Sequence, residues 1–130
     1  MNKVELNRYR KMLVSLRDRL RGDVAQLTDE ALDRSEGGGD SRSPTHIAEL
    51  GTETYEQDFS LRVIESDQEI LDEISAALKR IDDGTYGTCQ SCLEEGKSLS
   101  KAAIKKSRLR AIPYARNCIG CEEKREELSL

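Results

Sequence analysis

Along the first third of the chain, apolar side chains recur at Leu6, Tyr9, Leu13, Leu16, Leu20, Val24, Leu27 and Ala31, in steps that alternate between three and four residues. Such a period keeps one narrow stripe in line along a helix. The pattern therefore predicts a helix from Lys3 to about Arg34 that packs lengthwise on another helix. The charges between these positions, Arg8, Arg10, Lys11, Arg17, Asp18 and Arg19 among them, form a solvated flank. "SEGGGDSRSPTH", residues 35–46, breaks the period with three consecutive glycines and a proline and is predicted to be a loop. The period resumes at Tyr55, Phe59, Val63, Ile64, Leu71, Ile74, Leu78 and Ile81, with Asp67 in a stripe position. Asp82, Asp83 and Gly84 then supply helix-stop chemistry.

Each predicted helix is roughly 30 residues or longer, about 45 Å at 1.5 Å per residue. Two such helices joined by one loop are expected to form an antiparallel coiled-coil hairpin over residues 1–84, with a tip loop at about 35–52. The N-terminus and the segment after Gly84 then share one end, and the loop occupies the other. An intermolecular bundle with partner subunits is the alternative, because loop length does not exclude it. Residues 85–130 remain for a small module with a short C-terminal helix. The expected fold class is thus mostly α, a long helical hairpin plus a compact C-terminal module.

Composition agrees with extended, solvated helices. Charged residues make up 35% of the 130-residue chain and aromatics only 4%, with no Trp and one Phe, so a thick layered core would be hard to fill. A net charge of −4 and a pI near 5.2 argue against coating nucleic acid by bulk electrostatics. No apolar run is long enough to span a membrane, and the charged N-terminus lacks a signal-peptide core, so a cytoplasmic location is expected.

The four cysteines fall in two pairs, Cys89-x-x-Cys92 and Cys118-x-x-Cys121. Thiols of a cytoplasmic protein stay reduced, which favours metal ligation over disulfides. A CxxC turn presents two thiolates on one side of a tight loop, and two turns complete a sulfur tetrahedron around one ion. Zinc suits four thiolates best, and iron in a rubredoxin-like site is the alternative metal. Four sulfurs fill the coordination sphere, so the expected role is one structural zinc ion that performs no catalysis. A thioredoxin-like redox pair would require a βαβ setting, which the pattern does not offer. The segment after Gly84 is too short to build a core alone, so metal binding would stabilise it strongly.

Between the pairs, "KSLSKAAIKKSRLR" is basic with helical potential. Lys101, Lys105, Lys106, Arg108 and Arg110 constitute either a solubilising helix or a contact surface for nucleic acid or an acidic protein. Sequence-specific DNA reading is not expected. Nothing supports an enzyme: the lone His46 lies in a Ser/Pro loop, the acidic pairs are a helix terminus and a surface turn, and the triple glycine lacks the lysine and strand of a phosphate loop.

The order hairpin, then "DGTYGTCQSC", then "RLRAIPYARNCIGC" resembles the DksA/TraR family of bacterial regulators with a four-cysteine zinc finger. Arg108, Leu109, Ala111, Pro113, Ala115, Cys118 and Cys121 match the family's second zinc knuckle, and "DFSL" at 58–61 resembles the start of its second coiled-coil helix. The resemblance implies a non-enzymatic transcription factor that binds RNA polymerase through its secondary channel. The coiled-coil tip would lie near the active centre, with the alarmone ppGpp as a cooperating effector. At the family's DxxDxA tip signature this chain carries Ala48, Gly51 and Glu53, and the acidic candidates for tip contacts are Glu49, Glu53 and Glu56. The segment "EEGKSLSKAAIKK" is an apparent insertion between the knuckles, either an extra contact surface or a surface loop. The alternative from another class is a zinc-stapled coiled-coil adaptor, or a self-associating protein, with no role in transcription.

Overall fold

The computed structural model describes residues 1–37 and 44–129, with side chains described over 1–32 and 55–129. Helices α1 (Lys3–Gly37, 35 residues) and α2 (Pro44–Asp83, 40 residues) are followed by α3 (Gln90–Glu94), α4 (Lys106–Ala111) and α5 (Ile119–Ser129). Among the described residues there is no strand, only an isolated antiparallel bridge between Thr88 and Ala103. No described helix is long and apolar enough to cross a membrane.

Both long helices reach further than their sequence pattern suggests. The expected tip loop of 35–52 overlaps helix on both sides, since α1 continues to Gly37 and α2 starts at Pro44. Proline is tolerated at a first helical position, where its fixed φ suits the helix and the missing N–H would have no intrahelical partner anyway. For the same reason "DFSL" lies well inside α2 rather than at its start. The other end of α2 follows expectation: the helix closes at Asp83, and Gly84 takes φ +81°, the left-handed conformation that a helix C-terminus favours.

Packing divides the chain into two compact units, Met1–Arg17 with Asp72–Leu130, and Asp18–Leu71. In the first unit the start of α1 runs antiparallel to the end of α2, with Arg10 Nη2 2.7 Å from Asp82 Oδ1. Leu13, Ile74 and Ala77 are fully buried, and Tyr9, Ile81 and Tyr86 nearly so. The core continues into the cysteine module through Ala102, Ile104, Leu109 and Ala115. Tyr9 and Tyr86 pack with ring centroids 5.5 Å apart and planes tilted by 48°. The stretch leaving α2 turns at Gly87 (φ +83°), where a Cβ would also run into the Met1 side chain.

In the second unit the α1 stripe is as predicted, with Leu20, Val24 and Leu27 half-buried and Ala31 buried. The α2 stripe is shifted. Stepping back from Leu71 by four and three residues leads through Asp67, Ile64, Ser60 and Gln57, and these positions face inward. Ser60 is buried, and Gln57 Nε2 donates to the Ala31 carbonyl at 3.4 Å. Tyr55 and Phe59, expected in the stripe, are 70% and 59% exposed. The register is set by the strong apolar run at Leu71, Ile74 and Ile81. One residue of offset turns a helical side chain by about 100°, so Phe59 points away where Ser60 points in.

Candidate metal centre

The first knuckle is built by a short helix capped with a sulfur. Cys89 is the N-cap of α3, extended at φ −66° and ψ 119°, and its Sγ accepts the Cys92 N–H at 3.4 Å. That bond satisfies one of the donors left over at a helix start and draws the second cysteine toward the first. The Cys89 carbonyl accepts Leu93 N–H at 3.2 Å, and beyond Gly96 (φ +83°) the chain returns with Lys97 N–H donating to the Cys92 carbonyl at 3.0 Å. In the second knuckle α5 starts directly after Cys118, whose carbonyl accepts Glu122 N–H at 3.0 Å.

Backbone bonds tie the first knuckle both to the second and to the segment between them. Gln90 N–H donates to the Arg116 carbonyl at 2.9 Å, while Cys89 N–H donates to Ala102 at 2.6 Å and Ile104 N–H to Gly87 at 2.8 Å. The latter two belong to the segment read from sequence as a surface loop or contact surface. Ala102 and Ile104 are 1% and 4% exposed, so part of that insertion forms a wall of the first knuckle. Helix is confined to Lys106–Ala111, shorter than the basic stretch suggested, because the bridge opposite Thr88 holds the preceding backbone extended.

Buried Asn117 ties the two turns together. Its Oδ1 accepts Ser91 N–H at 3.3 Å and Ser91 Oγ–H at 3.2 Å, and its Nδ2 donates to Glu122 at 3.1 Å. Its carbonyl takes Arg108 Nε–H at 3.0 Å. Arg116 forms a two-pronged pair with Glu73 on α2, at 2.9 and 2.7 Å. Neither role follows from sequence alone, although an amide directly before the second knuckle, in "ARNCIGC", was the available signal for Asn117.

All four Sγ atoms lie within 4.8 Å of one another. Cys92 Sγ is 3.8 Å from Cys118 Sγ and 3.6 Å from Cys121 Sγ. A tetrahedral ion with metal–sulfur bonds of about 2.3 Å has sulfur–sulfur edges of about 3.8 Å, so both spacing and donor set fit a four-thiolate metal site. Cys89 and Cys92 are buried, Cys118 and Cys121 half-buried. Burial works against the Cys89 thiolate, but backbone N–H groups at Cys118 and Cys92 and the neighbouring thiols outweigh it and bring its pKa down to about 7. Cys121, sharing hydrogens with Cys118 and Cys92, is pushed up to about 12. Lys97 Nζ stands 3.8 Å from Cys92 Sγ and 3.4 Å from Glu95. Its interaction with the Cys92 sulfur raises its pKa, with Glu95 adding to the effect. A filled tetrahedron leaves no position for substrate, so the arrangement is suited to holding structure rather than to catalysis.

The other predicted site residues do not gather into one surface. Lys101 and Lys105 are exposed, and Lys106 pairs with Glu5 at 2.8 Å, holding that carboxyl below its usual range. Arg108 is half-exposed, and its Nε donates to the Asn117 carbonyl at 3.0 Å. Arg110 is exposed and lines a cleft with residues of α1. Glu56 lies exposed on α2, whereas the side chains of Glu49 and Glu53 fall outside the described residues.

No family model matches the chain. It is 30% identical over 124 residues to the RNA polymerase-binding transcription factor DksA of Escherichia coli, covering 94% of this chain and 72% of that protein. It is 32% identical over 111 residues to general stress protein 16O of Bacillus subtilis, covering 83% and 60% of the two chains. The solved structure of transcription factor DksA2 from Pseudomonas aeruginosa superposes with a TM-score of 0.76 at 26% identity, covering 99% of this chain and 88% of that one. Hairpin, cysteine module and these likenesses together place the chain in the DksA/TraR family of transcription regulators, which are not enzymes.

Proposed function

We propose that this protein regulates transcription by binding RNA polymerase directly, with its helical hairpin entering the secondary channel and the hairpin tip near the active centre. The match over 94% of the chain to a factor named for binding RNA polymerase carries this proposal. Glu49, Glu53 and Glu56 are the proposed tip contacts. One structural zinc ion on Cys89, Cys92, Cys118 and Cys121 would hold the module together, supported by sulfur spacings of 3.6 and 3.8 Å. When bound, that ion supplies a fourfold crosslink, and the residues around it supply orientation. Asn117 aligns the two turns, and the Cys89 sulfur holds the Cys92 N–H. A few tip side chains are enough to bias a two-state promoter complex if they bind one state better. Promoter sequence is not read, and ppGpp is the proposed cooperating effector.

The test is transcription in vitro with purified polymerase, with and without ppGpp, comparing wild type with Glu49→Gln/Glu53→Gln. Zinc content is measured on the same samples. The double variant is expected to retain polymerase binding and zinc while changing promoter output. An absence of wild-type association with polymerase at low salt would refute the proposal and leave the adaptor reading.

A further inference from the structure

A cleft of about 400 Å³ lies between the first turns of α1 and helix α4, lined by Glu5, Arg8, Tyr9, Met12, Lys106 and Arg110. Met12 and Tyr9 contribute apolar lining, and three cations line it against one carboxylate. That carboxylate, Glu5, is already committed to Lys106 at 2.8 Å. Arg8 and Arg110 have neither an ion pair nor a hydrogen bond among the described residues. In a chain of net charge −4, two unpaired guanidiniums from different elements beside this apolar lining are a local inversion of the overall charge. Nothing in the metal site or the helix packing makes use of them.

The features of the cleft select among anionic partners. Nucleic acid requires a track of cations along its backbone, exposed rings for stacking, and freedom from general repulsion. Here the cations are confined to one cleft, Tyr9 is only 6% exposed and packs on Tyr86, and the chain as a whole is acidic. A short protein segment meets these constraints better, since carboxylates can pair with the forked guanidiniums while one apolar side chain covers Met12. We propose that this cleft seats an acidic, amphipathic segment of RNA polymerase, its carboxylates against Arg8 and Arg110 and an apolar side chain over Met12 and Tyr9. The inference rests on polymerase being the partner, and it adds a contact surface separate from the acidic tip residues.

The experiment measures the affinity of fluorescently labelled full chain for purified polymerase freed of nucleic acid, across a salt series. Arg8→Glu/Arg110→Glu is expected to weaken binding about tenfold or more at low salt, with the gap narrowing as salt rises. Glu5→Gln releases Lys106 and removes the only carboxylate, and is expected to tighten binding about two- to fivefold. This gain separates a contact role from a merely structural one. Lys79→Glu/Lys124→Glu, at exposed positions away from the cleft, matches the charge change and is expected to bind as wild type. Circular dichroism and zinc content confirm that each variant is folded. Equal binding by wild type and the arginine variant would overturn the inference and leave the polymerase proposal standing. So would equal weakening by the lysine control, or arginine-dependent binding of DNA or RNA by the free chain. Failure of wild type to bind polymerase at all overturns both.

Discussion

Tyr86 joins the end of α2 to the second knuckle, and replacing it tests how firmly the cysteine module is fastened to the helices. Its hydroxyl donates to the Pro113 carbonyl at 2.7 Å, with both residues buried. Tyr86→Phe leaves that acceptor dry and unpaired, at a cost of about 1–3 kcal/mol. Tyr86→Ala also removes the ring that packs on Tyr9 and opens a cavity, for about 3–5 kcal/mol in all. Roughly 0.5–1.5 kcal/mol of this belongs to the aromatic pair. Burial pushes the Tyr86 phenol well above its ordinary pKa, Tyr9 adds to the shift, and Arg80 opposes it. The folded chain thus keeps this proton to higher pH than the unfolded chain. The contribution is complete below about pH 10, the unfolded phenol value, and is lost as pH rises through the folded-state value above it. Urea unfolding of the metal-loaded chain, followed by circular dichroism, measures both effects. At about pH 8 the order of stability is expected to be wild type, Phe, Ala, and by about pH 11 the gap between wild type and Phe is expected to narrow. A Phe variant as stable as wild type at the lower pH, or a gap that does not change with pH, would refute the reasoning.

Four further outcomes follow from the packing and the metal site. Leu13→Ala, at a fully buried stripe position, is expected to cost about 2–5 kcal/mol. Phe59→Ala, at a position 59% exposed, is expected to stay within about 0.5 kcal/mol in the same urea titration, and a large loss there would mean that the α2 register is wrong. The Arg116–Glu73 pair is two-pronged but half-exposed, so a double-mutant cycle with Arg116→Met and Glu73→Gln is expected to give a coupling of only about 0.5–1 kcal/mol, falling with salt. Cys118→Ser is expected to abolish stoichiometric zinc by elemental analysis and to loosen residues 85–129 in hydrogen exchange, while exchange protection in 18–37 and 55–71 is retained. Chelation of the wild type should reproduce that pattern.

What could be read without coordinates was local and periodic. Stripe residues from Leu6 to Ala31 lie on one helical face because their spacing alone puts them there, and Gly84 ends α2 because only glycine takes φ +81° without strain. Two CxxC turns read as one ligand set because thiol chemistry and turn geometry belong to short segments. The inward face around residue 60 of α2 is hidden from the sequence for a related reason: an aromatic such as Phe59 outweighs Ser60 on any hydrophobicity scale, yet the register is imposed by Leu71 and Ile74 further along.

The tertiary structure decided everything that depends on which segments meet. It brought Arg108 Nε onto the Asn117 carbonyl, buried Ala102 and Ile104 of the insertion against the first knuckle, and left Arg8 and Arg110 facing one cleft without partners. A basic or apolar residue has the same local signature in either setting. Whether it is buried, paired or left to bind something else depends on neighbours tens of residues away, and those neighbours are chosen by the packing of the whole unit.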